Sequence, residues 1–193
     1  AGTQEGVLKF TGSVTKIPAE AFKDSIQLLT ISLPNTVTSI GNSAFQNDRQ
    51  LQTISWSDGL TSIGFDTFRG CTVLVFDALP NSLEKIGTEA FKNCKGLLSV
   101  TFGPNLRSLG VTKEVFMGCT NLRTVDLSQT QLTTLVSGTF KDCSSLETVL
   151  LPPTLEEITG SVFGNCTSLS SVVFPSTSAL RTIGASFGNC TSL

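Results

Sequence analysis

The sequence contains neither histidine nor tyrosine. Without histidine it lacks the commonest general base near neutral pH and the commonest nitrogen ligand for metals. A Ser-His-Asp arrangement is therefore impossible, although serine and threonine are plentiful. A serine–lysine nucleophile is chemically open, but no constellation of residues stands behind an enzyme. Charged residues make up only 15% of the chain and the net charge is −2. That balance argues against a nucleic-acid footprint and against attraction to an anionic membrane surface, both of which need basic clusters. No apolar run approaches the roughly 20 residues that span a bilayer. The opening AGTQEGVLKF has neither the basic nor the long apolar region of a signal peptide; a trimmed secreted chain would read the same way.

What fills the chain instead is repetition. Phenylalanine recurs at Phe22, Phe45, Phe68, Phe91, Phe116, Phe140, Phe163 and Phe187, in steps of 23, 23, 23, 25, 24, 23 and 24 residues. A fixed period in the range of about 20–50 residues marks a solenoid, stabilised between neighbouring units rather than around one central core. The stretch Leu28 to Leu51, LLTISLPNTVTSIGNSAFQNDRQL, shows one unit whole. Ile31 and Leu33 stand two apart, the spacing of one face of a strand, so Thr30 and Ser32 face the other way. Pro34 removes a ladder donor and ends the strand. Val37 and Ile40 turn inward again, and Gly41 permits a sharp corner. Asn42 or Ser43 is placed to cap one helical turn around Ala44 and Phe45.

The same slots recur. The inward strand pairs are Ile54/Trp56, Val100/Phe102, Val125/Leu127, Val149/Leu151 and Val172/Phe174, which makes Trp56 a core residue. Leu8, Phe10, Val14 and Ile17 fit part of an earlier unit. The chain thus reads as one domain, residues 1–193, of about eight repeats of 23–25 residues, with both ends cut within a repeat. Neither end resembles a polar cap, so a segment of a longer protein is expected. Added residues lie near Val111–Glu114, near Gln129–Gln131 and in the Pro175–Ala179 loop. Insertions of this kind map to loops on one face.

Two features strain the pattern. In the third unit, LVFDALP, the inward slot holds Asp77. Either Asp77 finds hydrogen-bond partners in the core, or the strand slips so that Val75 or Phe76 fills the layer, a slip that Leu79 must undo. The six cysteines, Cys71, Cys94, Cys119, Cys143, Cys166 and Cys190, each lie three residues after a ladder phenylalanine. Equivalent slots give parallel side-chain vectors, whereas a disulfide needs Cβ atoms about 3.5–4.5 Å apart and facing one another. A ladder of reduced thiols is the expectation, with some bridging as the alternative. Ser25 and Asp48 occupy the slot in the first two units. A metal is not expected, since zinc wants C-x2-4-C pairs and histidines. Asn165 and Asn189 fall in Asn-Cys-Thr sequons that also belong to the repeat consensus.

The segments LPNTVTSIGNSAFQN, LPNSLEKIGTEAFKNC and LPPTLEEITGSVFGNC resemble the BspA-like, or Treponema pallidum-type, leucine-rich repeats. The resemblance covers residues 8–193. It implies an α/β repeat fold, a right-handed leucine-rich-repeat solenoid with a concave parallel β-sheet and short helical or irregular turns on the convex side. It also implies a surface or secreted protein that adheres to host matrix or cell-surface proteins.

A solenoid's concave sheet is its usual binding surface. Its outward columns read Thr30, Thr53, Phe76, Ser99, Thr124, Thr148, Ser171 and Ser32, Ser55, Ala78, Thr101, Asp126, Leu150, Val173. Most of these are hydroxyl residues. The departures, Phe76, Asp126, Leu150 and Val173, together with Thr124 and Thr148 beside them, are the candidate partner-binding residues. The function expected is a non-catalytic protein-binding module for adhesion or recognition, with no cofactor, no metal, no nucleic acid and no direct membrane insertion in this segment. The alternative is a structural spacer within a larger surface protein. A flat threonine array that meets ice or a repetitive glycan is a weaker third reading, because Phe76, Ser99 and Asp126 interrupt it.

Overall fold

The computed structural model describes residues 6–8, 10 and 13–193 of the chain. The side chain of Leu8 lies outside the described residues. Fifteen short strands are present among the described residues: β1 (Gly6–Leu8), β2 (Lys16–Ile17), β3 (Leu28–Ser32), β4 (Ser39–Ile40), β5 (Thr53–Ser55), β6 (Ser62–Ile63), β7 (Lys85–Ile86), β8 (Ser99–Thr101), β9 (Ser108–Leu109), β10 (Thr124–Asp126), β11 (Thr134–Leu135), β12 (Thr148–Leu150), β13 (Glu157–Ile158), β14 (Ser171–Val173) and β15 (Thr182–Ile183). All pairings are parallel and join equivalent strands of successive units. The first strand of each unit builds one line, β1-β3-β5 and then β8-β10-β12-β14. The second strand builds another, β2-β4-β6-β7-β9 and then β11-β13-β15. The second line breaks between β9 and β11, where the fourth and fifth units carry their added residues.

The ladder phenylalanines are the spine. All eight stack in one continuous column, with neighbouring ring centroids 5.0–5.8 Å apart and planes within 15° of parallel. Phe45, Phe68, Phe91, Phe116, Phe140 and Phe163 are fully buried. Leu, Ile and Val from both strand lines close the core around them. In the last unit Ile183 keeps its register opposite Ile158, and Phe174 and Ile183 are 42% and 50% exposed.

The expected helical turn around Ala44 and Phe45 does not form. There is no helix among the described residues. Ser43 and Asn47, on either side of Phe45, have φ of +54° and +60°, and a residue in the left-handed region cannot continue a right-handed helix. Instead of pointing back along its own segment, the Phe45 amide donates to the Thr67 carbonyl of the next unit at 2.8 Å. The same bond runs from Phe22 to Ala44, Phe68 to Ala90, Phe91 to Val115, Phe116 to Thr139, Phe140 to Val162 and Phe163 to Ser186. The phenylalanine turns therefore form a third hydrogen-bonded line between units.

This geometry explains a further regularity. Two residues after each ladder phenylalanine stand Asp24, Asn47, Gly70, Asn93, Gly118, Asp142, Asn165 and Asn189, all with φ between +58° and +77°. Asn, Asp and Gly tolerate that region best. The amides add a ladder of their own: Asn47 donates to Asp24 at 3.0 Å, Asn165 to Asp142 at 2.6 Å and Asn189 to Asn165 at 2.8 Å. The sequon nitrogens of Asn165 and Asn189 are thus already engaged. At the corners the turns approach so closely that a Cβ on Gly87 would lie 2.5–2.6 Å from the backbone of Gly64 and Phe65, which only glycine avoids.

All six cysteines are free thiols. Each donates to the carbonyl of the ladder phenylalanine one unit earlier: Cys71 to Phe45 at 3.0 Å, Cys94 to Phe68, Cys119 to Phe91, Cys143 to Phe116, Cys166 to Phe140 and Cys190 to Phe163. Burial pushes the Cys119 and Cys166 thiols up to about 12. The thiolate is the nucleophile, so the buried thiols should stay silent to a thiol reagent at pH 8 in the folded protein. Cys190, which is only partly buried, should react first. Fast labelling of Cys94, Cys119 and Cys143 in the native state would show that the ladder opens.

Candidate protein-binding face

The first-strand line positions the candidate residues. Side chains alternate across a strand, so burying Val125 and Val149 forces Thr124, Asp126, Thr148 and Leu150 to the open side. Register then brings them together: Thr124 pairs with Thr148, Asp126 with Leu150, and Leu150 with Val173. Thr124 and Val173 are exposed, and Asp126, Thr148 and Leu150 are half-buried. Asp126 has a local role as well, since its Oδ1 accepts a hydrogen bond from the Ser128 amide at 2.9 Å.

Phe76 does not join them. Val75 pairs with Thr53 and Ala78 with Thr101, so two residues lie between the bridged positions of the third unit where its neighbours have one. The strand slips by one residue and recovers by Leu79, which is buried. Phe76 fills the inward layer, packed edge-on to Trp56 at 5.4 Å and against Phe91 at 5.4 Å. Asp77 is exposed and accepts a hydrogen bond from the Ser99 hydroxyl at 3.2 Å. An apolar ring belongs in the layer more than a carboxylate does, and a bulge is the local means of exchanging them. Phe76 is thus a packing residue rather than an open anchor, and Val75 takes its column position at 44% exposure. Trp56 lies inward as expected, edge-on to Phe68 and Phe76. Phe76→Glu would set a charge between Trp56 and Phe91 and should lower stability by about 2 kcal/mol or more. A melting temperature within 1–2 °C of the parent would contradict this placement.

Three exposed features were not singled out from the sequence. Val75 and Leu98, in the third and fourth units, are 44% and 57% exposed. On the second-strand side, two adjoining depressions of about 350 and 370 Å³ share Phe65 and Val111 as walls. Phe65 is a phenylalanine off the ladder, and Val111 belongs to an insertion, which were the available signals. Beside them runs an ion-pair chain across three units: Asp66 to Arg69 at 3.2 Å, Arg69 to Glu89 at 2.9 Å, Glu89 to Lys92 at 3.2 Å and Lys92 to Glu114 at 2.7 Å. The Lys92 ammonium holds the Glu114 carboxyl below its usual value. Among the described residues, no group of His, Cys, Asp or Glu side chains is disposed to hold a metal ion. Among the same residues no helix is long and apolar enough to cross a membrane.

Comparison with known proteins matches this architecture. The crystal structure of the T. pallidum leucine-rich repeat protein TpLRR superposes with a TM-score of 0.79 at 26% identity, over 92% of this chain and 82% of that one. A leucine-rich repeat protein from Eubacterium ventriosum superposes with a TM-score of 0.68 at 22% identity, over 95% of this chain and 58% of that one. No curated protein matches. The model of the BspA-type leucine-rich repeat region matches in six copies, over residues 6–112 and 76–193. The chain belongs to the BspA-type leucine-rich repeat family.

Proposed function

We propose that the chain is a non-catalytic recognition module of a cell-surface or secreted protein. It engages a protein partner through the first-strand face at Thr124, Asp126, Thr148, Leu150 and Val173. One observation carries this reading. Register sets Asp126, Leu150 and Val173 side by side on adjoining strands, and neither Leu150 nor Val173 packs in the core. Exposed apolar side chains on a rigid sheet are how repeat proteins anchor partners. Host matrix and cell-surface proteins are the partner class the family resemblance suggests.

The test is a binding screen of the chain against matrix, plasma and cell-surface proteins, run beside Leu150→Glu/Val173→Glu. A saturable partner lost in the double variant, with its melting temperature kept, is the expected result. Binding that survives the variant moves the site to another face. Silence across the panel favours the spacer reading.

A further inference from the structure

The outward-facing positions of the first-strand face carry charge of one sign only. Along its outward columns, from Thr30 to Val173, the charged residues are Asp77 and Asp126. Among the described residues, neither has a cation within ion-pair distance. Arg123, just before β10, is already paired with Glu147 at 3.2 Å. Asp77 reaches the surface because of the bulge, and among the described residues its carboxylate accepts a hydrogen bond from the Ser99 hydroxyl.

The spacing narrows the partner. Ala78, Thr101, Asp126, Leu150 and Val173 form one row of laterally paired residues, and parallel strands lie about 4.8 Å apart. Asp77, beside Ala78, and Asp126 are therefore about 10 Å apart along the row. Leu150 and Val173 follow at about 5 and 10 Å beyond Asp126. An extended peptide shows one face every ~6.6 Å, so its same-face positions fall near 6.6 and 13 Å and miss this interval. A helix returns to the same face after seven residues, a rise of about 10.5 Å.

On the reading that this face binds protein, we infer that the element it receives is a cationic amphipathic helix lying along the row. Two lysine or arginine side chains seven residues apart meet Asp77 and Asp126. Aliphatic side chains one and two turns further on meet Leu150 and Val173.

The probe is an alanine-based helical peptide of eighteen residues, with lysine at its third and tenth positions and leucine at its fourteenth and seventeenth. Its twin carries glutamate in place of both lysines. Binding is measured at about 50 mM and 300 mM salt, against the parent chain and Asp77→Asn/Asp126→Asn. Asparagine keeps the acceptor for Ser99 and for Ser128, so the fold should hold. The lysine peptide should bind the parent at least about fivefold more tightly than its twin, with the margin shrinking at high salt. The double variant should erase the margin. Equal binding of both peptides, or a margin that survives the double variant, overturns the inference. If the lysine peptide fails while a partner from the screen still loses binding in Leu150→Glu/Val173→Glu, the cationic helix is overturned and the binding face stands. If both fail, the face itself is wrong.

Discussion

Phe91→Ala should cost about 3–5 kcal/mol of unfolding free energy, the range for truncating a fully buried phenylalanine. Phe91 is fully buried and meets three rings: Phe68 at 5.3 Å, Phe116 at 5.0 Å and Phe76 at 5.4 Å. Its amide also bonds the next unit at Val115, so the hole opens inside a wall the backbone holds in place and collapse is resisted. Phe22 meets one ring, Phe45 at 5.1 Å, and is only half-buried, so Phe22→Ala should cost about half as much or less. Chemical denaturation of the two variants measures the difference. Equal losses would mean that stability is not built from contacts between neighbouring units.

The second large effect depends on pH. Asp48 occupies the slot that later units fill with cysteine. Its side chain is fully buried, and neither carboxylate oxygen has a hydrogen-bond partner. Burial raises its pKa from 3.8 to about 7, although the nearby amides of Leu51 and Gln50 pull the other way. The folded protein therefore favours the protonated acid. The contribution is fully present below pH 3.8 and is lost as pH rises through about 7. At 1.36 kcal/mol per pKa unit, the ionised group lowers stability at pH 8 by about 4 kcal/mol. Asp48→Cys should recover much of that at pH 8, with the new thiol facing the Phe22 carbonyl as Cys71 faces that of Phe45. At pH 4 the gain should fall to about 1 kcal/mol or less. Urea titrations of both proteins at the two pH values decide it, and a gain independent of pH would refute a buried ionisable aspartate.

Much of this architecture is legible in the sequence because each slot is repeated. The ladder phenylalanines, the first strand of each unit and the thiol column all follow from positions that recur with one kind of residue, whereas the second strand line, two residues per unit, shows only in the structure. A helix cap at Asn42 or Ser43 is not what the turn holds, and the sequence carries the sign of it: Asn, Asp or Gly stands two residues after every ladder phenylalanine. Those residues mark left-handed backbone, and left-handed backbone forbids the helix. At Phe76 the sequence leaves two readings open. LVFDALP allows two registers, and Phe76 is settled only by the rings of Trp56 and Phe91 from neighbouring units. The open face was legible at Thr124, Asp126, Thr148, Leu150 and Val173, where strict register carries strand alternation forward. It was not legible at Val75 and Asp77, which the bulge turns outward.

Whether partners meet the first-strand face can be read from a methyl NMR titration of the chain with a partner recovered from the screen. Leu150 and Val173 methyls should shift, joined by those of Val75 and Leu98 if the contact extends to the bulge, while Ile40, Ile63 and Val111 on the second-strand side stay still. Shifts at Val111 and Ile63 with Leu150 and Val173 unmoved would place recognition on the opposite strand line and contradict the account.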